Sequence, residues 1–306
     1  MIQIREILIP TDFREPPAAA IGHAAMLAER FGARLTMLHV VTAREHNAVA
    51  AFPELDPACA AEEEAAEEEV AERLGLQPSQ RLQVRRELRH NAHPAEEITR
   101  FAAEMQADLI VTGTHGRTGL SHLILGSLAE DLMRTANCPV LVARTAGPGA
   151  SGEVMPYLQI LAPIDFSPDS EKAMRYALAL SQLFRAQLHI LHVVDLPVYP
   201  AHYAVNHALA EEFSRDFITL SHEEIERWLT GFEQRPRHCQ THVQVGRPYH
   251  EIVKFAAAQD IDLIVMGTRG LSRLQEFFLG GNTARVIRHA PCPVLVVKLQ
   301  ERDFVH

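Results

Sequence analysis

Lysine is nearly missing from this chain of 306 residues: Lys172, Lys254 and Lys298 are all there is, and none follows a GxxxxG run. That excludes a P-loop of the GxxxxGK[ST] kind. Basic charge as a whole is in deficit, with 29 Lys and Arg against 39 Asp and Glu and a formal net charge of -10, so the footprint of a nucleic-acid binder is missing. Cysteine is sparse too. Cys59, Cys138, Cys239 and Cys292 form no CxxC pair and no metal-ligand spacing, which argues against a zinc module or a disulfide framework and for reduced thiols. No apolar run reaches the roughly 18 residues of a membrane span. The opening MIQIREILIPTDF has a charged pair inside its apolar stretch and no small-residue cleavage site, so a cytoplasmic protein is expected. GxGxxG does not follow the first apolar run, which disfavours a standard dinucleotide fold, and no Ser, His and Asp set stands in a nucleophile-elbow context, so hydrolase chemistry has no support.

What is present is an ordinary globular composition, 47% hydrophobic and 22% charged, at a length that suggests two domains. The sequence repeats itself. ILIPTDF at 7–13 returns as ILAPIDF at 160–166, and LHVV at 38–41 returns at 191–194, both 153 positions on. DLIVTGTHG at 108–116 matches DLIVMGTRG at 262–270, and NCPVLVAR at 137–144 matches PCPVLVVK at 291–298, both 154 positions on. So constant an offset means a duplicated domain. TAGPGASGEVMP at 145–156 has linker composition, which places a boundary near Gly149 and the domains at 1–146 and 156–306. The run AEEEAAEEEVAERLG at 61–75 reads as a helix with a solvated acidic face.

Within each copy, short β-branched runs alternate with helical patterns. In the first, QIREILIP, RLTMLHVV, RLQVRREL, DLIVTG and PVLVAR read as strands, and the near-continuous DLIV and PVLV runs suit strands covered on both faces. PPAAAIGHAAMLAERFG, ending at Gly32, and HPAEEITRFAAEMQ, with Pro94 near its start, carry helix signals. The order βαβαβαβαβ predicts two tandem α/β domains, each a doubly wound parallel five-stranded sheet, with ligands bound beyond the carboxyl ends of the strands where strand order reverses.

The loop after the fourth strand carries the chemistry. Gly113 and Gly116 are followed, after nine residues, by Gly126 and Ser127, which open the helix SLAEDLMRTA. Glycines let backbone approach a ligand, and a helix start offers free N–H groups to an anion. The first strand of each copy ends in a Pro-x-Asp turn, Pro10-Thr11-Asp12 and Pro163-Ile164-Asp165, whose carboxylate could accept from a ribose hydroxyl or an adenine amino group, help hold a metal, or cap the following helix.

On these residues the chain resembles the universal stress protein family in its tandem form, over nearly its whole length. Some members of that family bind ATP through G-x2-G-x9-G-[ST], with the first-strand aspartate and the end of the second strand lining the adenosine pocket. The resemblance implies an adenine-nucleotide site at Pro10, Thr11, Asp12, Val41, Gly113, Gly116, Gly126 and Ser127, with Thr112 and Leu128 as backbone contacts and Arg117 as local charge. In the second copy it implies Pro163, Ile164, Asp165, Val194, Gly267 and Gly270, but Gly280, Gly281, Asn282 and Thr283 stand where Gly-Ser is expected, leaving two registers open. It also implies pairing through the last strands, PVLVAR and PVLVVKL, as an internal pseudo-dimer or a homodimer.

The reading that follows is a cytoplasmic stress-response or regulatory protein that binds ATP with Mg2+ and has little intrinsic turnover, without nucleic-acid or membrane partners. Slow ATP hydrolysis or self-phosphorylation, and a scaffold for a non-nucleotide ligand or protein partner, stay open as alternatives. No catalytic residue and no protein metal site is assigned. His39 and His192, at matching places near the end of the second strand, read as hydrogen-bonded structural histidines; HYAVNH at 202–207 with His222 reads as a surface helix in an insert; Cys138 and Cys292 read as small buried thiols.

Overall fold

The structure, a computed structural model, describes residues 3–11, 18–42, 83–113, 126–143, 156–195, 207–232, 239–268 and 280–305. Asp12, Gly116, Arg117, Gly270, Cys59 and the acidic run at 61–75 lie outside the described residues. The chain divides into two compact units, Met1–Pro156 together with Gln300–His306, and Tyr157–Leu299.

In the first unit, β1 (Glu6–Pro10) leads to α1 (Ala18–Phe31), β2 (Arg34–Val41), β3 (Val84–His90), α2 (Pro94–Glu104), β4 (Leu109–Gly113), α3 (Ser127–Thr135) and β5 (Val140–Ala143). The sheet runs β3-β2-β1-β4-β5 and every pairing is parallel. Strand order reverses between β1 and β4, where Ile7 pairs with Leu109 and Leu8 with Ile110. The apolar runs sit where two-sided burial requires: Ile7, Leu8, Ile9, Leu109, Ile110, Val111 and Val140 are all buried, with Leu132 and Met133 of α3 among the core residues. β3 is only partly buried along most of its length and carries charge, as an edge strand should. α1 ends at Gly32 with φ 65, the left-handed stop that glycine accepts without strain, and α2 opens with Pro94 in its first turn.

The second unit repeats this plan: β6 (Gln159–Ile164), α4 (Pro168–Phe184), β7 (Gln187–Val194), α5 (His207–Leu229), β8 (Cys239–Val245), α6 (Pro248–Ala258), β9 (Leu263–Gly267), α7 (Gly281–His289) and β10 (Val294–Val297). Its order is β8-β7-β6-β9-β10, again all parallel.

One aspartate in each unit pins the reversal from below. Asp108 Oδ2 accepts from the N–H groups of Arg5 (2.7 Å) and Glu6 (3.1 Å), and Asp262 Oδ2 accepts from Leu158 (2.7 Å) and Gln159 (2.8 Å). Each satisfies two strand-start amides that lack a ladder partner. Residues 300–305 group with the first unit, where Phe304 is buried and Arg302 meets Asp108.

Candidate functional site

At the carboxyl end of the first sheet, Pro10 and Val41 are buried, as is Thr112, while Thr11 and Gly113 are half-buried. The strand ends are tied together. Thr11 N–H donates to the Leu38 carbonyl (2.9 Å), and the Thr11 carbonyl accepts from His39 Nδ1 (2.9 Å), so His39 fixes the Thr11 backbone just after β1. His192 Nδ1 meets the Ile164 carbonyl at 3.0 Å in the second unit. Both histidines fill the structural role expected of them.

Beside these ends, α3 begins without a side-chain cap. Gly126 is its N-cap, with φ -63 and ψ 141, and the Gly126 carbonyl accepts from Glu130 N–H at 3.1 Å. The amides of Ser127, Leu128 and Ala129 precede the first carbonyl their own helix could offer them, so this end carries partial positive charge and donors without an intrahelical partner. Ser127 is exposed there. Ser127 and Leu128 also border a groove of about 710 Å³ between α2 and α3, whose wall includes His93, Thr99, Arg100 and Arg134.

Asn91 and Glu97, which the sequence reading did not single out, organise the loop into α2. Asn91 N–H donates to the Val41 carbonyl (3.2 Å), its Oδ1 accepts from His93 N–H (2.9 Å), and its Nδ2 donates to Glu97 (3.0 Å). Glu97 is 1% exposed and receives Arg100 Nη2 at 2.6 Å. Burial opposes its charge, but the Arg100 and Asn91 hydrogen bonds outweigh that and hold its carboxyl below the usual range. The signal available in sequence is that Glu97 recurs 154 positions on as Glu251.

The second unit places the equivalent groups differently. Gly280 is the N-cap of α7 as Gly126 is of α3, so the register is settled: Gly281 stands at the Ser127 position, and no hydroxyl follows the cap. Thr283, at 4% exposure, donates inward to the Gly267 carbonyl (2.9 Å). Asp169 is drawn in as well, accepting from Thr268 Oγ1 at 3.1 Å. Both motif glycines here are places of close approach. A Cβ on Gly280 would stand 2.7 Å from the Thr268 carbonyl oxygen, and one on Gly267 2.8 Å from Asp169 Cβ.

Asp165 is likewise engaged, its Oδ1 accepting from Ser167 N–H (3.1 Å) and Ser167 Oγ (2.5 Å). Ser167 in turn caps α4 by accepting from Ser170 N–H. Between them Phe166 adopts φ 62, a left-handed conformation that costs a bulky residue about 1–2 kcal/mol. Its ring packs on His192 (4.8 Å) and edge-on to Trp228 (5.8 Å), contacts that hold it there. Pro163 and Ile164 are buried and Val194 half-buried; Asn282 is exposed. In the first copy Arg14 and Pro16 replace Ser167 and Asp169, so the inward hydrogen bonds made by those two side chains have no counterpart in the sequence.

Elsewhere in the second unit His189 and His242 stack, with Nδ1 of the first 3.1 Å from Nε2 of the second, and His189 Nε2 meets Gln159 Oε1 at 2.9 Å. Burial lowers the pKa of both, each further lowered by a neighbouring histidine. Among the described residues no group of three or more His, Cys, Asp or Glu could hold a metal ion. Cys138 and Cys292 are buried, as expected. Among the same residues no helix is long and apolar enough to cross a membrane.

Two doubly wound units of parallel strands, each with a helix capped by a glycine beside the strand reversal, define a tandem α/β protein of a recognisable class. The sequence model of the universal stress protein family matches residues 3–144 and again 156–298, and the chain belongs to that family. It is similar to the universal stress protein Sll1388 of Synechocystis, 31% identical over 153 residues covering 47% of this chain and 99% of that one. The universal stress protein MJ0531 of Methanocaldococcus jannaschii is 33% identical over 153 residues, covering 48% of this chain and 85% of its own. In fold, the crystal structure of a universal stress protein from Archaeoglobus fulgidus aligns over 97% of both chains, with a TM-score of 0.64 and 20% identity. The family supports a role in stress response.

Proposed function

We propose that the chain is an ATP-binding stress-response protein whose first repeat is the nucleotide site. The observation that carries this reading is the contrast between the two helix starts: Ser127 is exposed after an uncapped Gly126, whereas Gly281 brings no hydroxyl and Thr283 turns inward. In this reading Pro10, Thr11, Asp12 and Val41 line the adenosine pocket, and the backbone at Thr112, Gly113, Gly116, Gly126 and Leu128 receives the phosphates. Ser127 and Arg117 supply the hydroxyl and the charge. A net charge of -10 gives no bulk attraction for a polyphosphate, so these local donors and Mg2+, held with help from Asp12, carry the binding. Nucleotide binding then acts as a regulatory signal, with little turnover, in the cytoplasm.

Calorimetric titration with MgATP tests it, with one site per chain as the expected result. Gly126→Val and Ser127→Ala weaken binding, and Gly281→Ala leaves it unchanged. Absence of ATP affinity in the wild type, or affinity unaffected by Gly126→Val, overturns the reading. A steady-state hydrolysis assay separates the enzymatic alternative: turnover lost on Asp12→Asn would favour it. Sedimentation of the intact chain reads the expected self-association.

A further inference from the structure

Segment 300–305 follows the second family repeat, which ends at 298, yet it packs as part of the first unit. Its contacts are specific. Arg302 N–H donates to the Asn137 carbonyl (2.7 Å) and Arg302 Nη1 to the Gln106 carbonyl (2.6 Å), while Arg302 Nε stands 3.2 Å from Asp108 Oδ1. The Phe304 carbonyl accepts from Gln3 N–H at 2.8 Å, and Phe304 is 1% exposed.

The acceptors share one origin. Gln106 and Asn137 each lie two residues beyond the last residue of a helix, α2 and α3, where carbonyls run out of helical donors and a cation is favoured by the helix dipole. Gln106 itself has φ 56, so its carbonyl is turned out of the helical path. A guanidinium with several donors in a fixed fork can meet a carbonyl and a carboxylate at once, which an ammonium cannot do in the same plane.

The second unit provides the comparison. Asp262 pins its two strand-start amides just as Asp108 does, but among the described residues it has no guanidinium partner. There the base carries its own aromatic pair: Tyr157, buried, packs edge-on to Phe184 at 5.2 Å. The residue 153 positions before Tyr157 is Ile4, so the first repeat lacks that ring.

We propose that the base of the first repeat, formed by Gln3, Gln106, Asp108 and Asn137, is a peptide-binding surface whose ligand is this chain's own Arg302-Asp303-Phe304-Val305 segment. The segment acts as a strap that fixes the trailing ends of α2 and α3. Phe304 supplies the buried ring that Ile4 does not, and Arg302 joins the two helix ends to the aspartate holding β1 against β4. Because α3 begins at Ser127, the strap also sets the footing of the helix that follows the glycine loop.

The test is amide hydrogen exchange on the chain truncated after Leu299, with and without a synthetic peptide of residues 299–306. We expect exchange at 103–109 and 134–139 to accelerate at least tenfold on truncation. The added peptide should restore protection saturably, and the same peptide carrying Arg302→Ala and Phe304→Ala should not. If the truncated chain fails to fold, Arg302→Ala in the full chain is read instead and must accelerate exchange at those two segments while Arg302→Lys recovers only part of the protection. Unchanged exchange in the truncated chain, or no protection by the wild-type peptide, overturns the proposal, as does unchanged exchange in full-length Arg302→Ala. Neither measurement involves nucleotide, so the outcome is independent of the ATP reading.

Discussion

Thr283 Oγ1 lies 2.9 Å from the Gly267 carbonyl oxygen and ties the start of α7 to the end of β9 across the second glycine loop. Replacing Thr283 by Val keeps its shape and removes the donor, leaving a buried carbonyl short of a partner. Thr283→Val should destabilise the protein by about 1–3 kcal/mol, with Thr283→Ser close to wild type in chemical denaturation. Equal loss in both variants would show that the methyl group, and not the hydroxyl, is what matters.

The glycines of the same loop divide into two kinds. Alanine at Gly280 would bring a Cβ within 2.7 Å of a backbone oxygen, and at Gly267 within 2.8 Å of Asp169 Cβ, so each substitution should cost about 1–3 kcal/mol. Gly281 has no atom within 4 Å of the corresponding position and sits in the first turn of α7. Gly281→Ala should therefore be neutral or gain up to about 1 kcal/mol. Urea midpoints of the three variants, measured side by side, check the ordering.

His23 on α1 is buried, and burial lowers its pKa to about 4. Its folded value lies below its unfolded one, so the unfolded chain takes up the proton first as pH falls. The stability this group contributes is complete above about pH 6.5 and is lost on acidification towards pH 4. At pH 5 the loss from His23 alone is about 2 kcal/mol. His189 and His242 shift in the same direction and steepen the slope. His23→Gln should flatten the dependence of the urea midpoint between pH 7 and 5; an unchanged slope would remove His23 from the account.

Glu97 titrates in a different window. Its carboxyl is held below the usual range, so its contribution persists through the histidine window and disappears only at pH values below the ordinary carboxylate pKa. Arg100→Ala removes its 2.6 Å partner, leaves a buried charge with Asn91, and should destabilise the protein at neutral pH. That cost should shrink in acid as Glu97 takes up its proton, and denaturation at pH 7 and pH 3 reads the difference.

Much of this was legible in residue patterns. Two-sided apolar runs such as DLIV and PVLV read directly as buried parallel strands because burial on both faces suppresses alternation. His39 and His192 were readable as structural because a duplicated sequence places them at equivalent strand ends. The glycine loop of the second repeat was not, since the doublet Gly280-Gly281 fits two spacings; only the position of the helix start and the inward turn of Thr283 choose between them. Segment 300–305 was missed for a different reason. It is too short for periodicity, and its meaning lies in carbonyls more than 160 residues away in the sequence, such as Asn137. Glu97 likewise draws its importance from burial, and Asn91 from the hydrogen bonds it makes to Val41, His93 and Glu97, neither of which composition reveals.

The hydrogen bond from Gln3 to Phe304 joins positions 301 residues apart in sequence at a distance of 2.8 Å. A short peptide link from Val305 to Gln3 would close this stretch of backbone into a ring, and the ring could be reopened in the stretch between Ala143 and Pro156. Such a circular permutant would make the first unit a single continuous stretch of chain for the first time, its strap leading directly into β1.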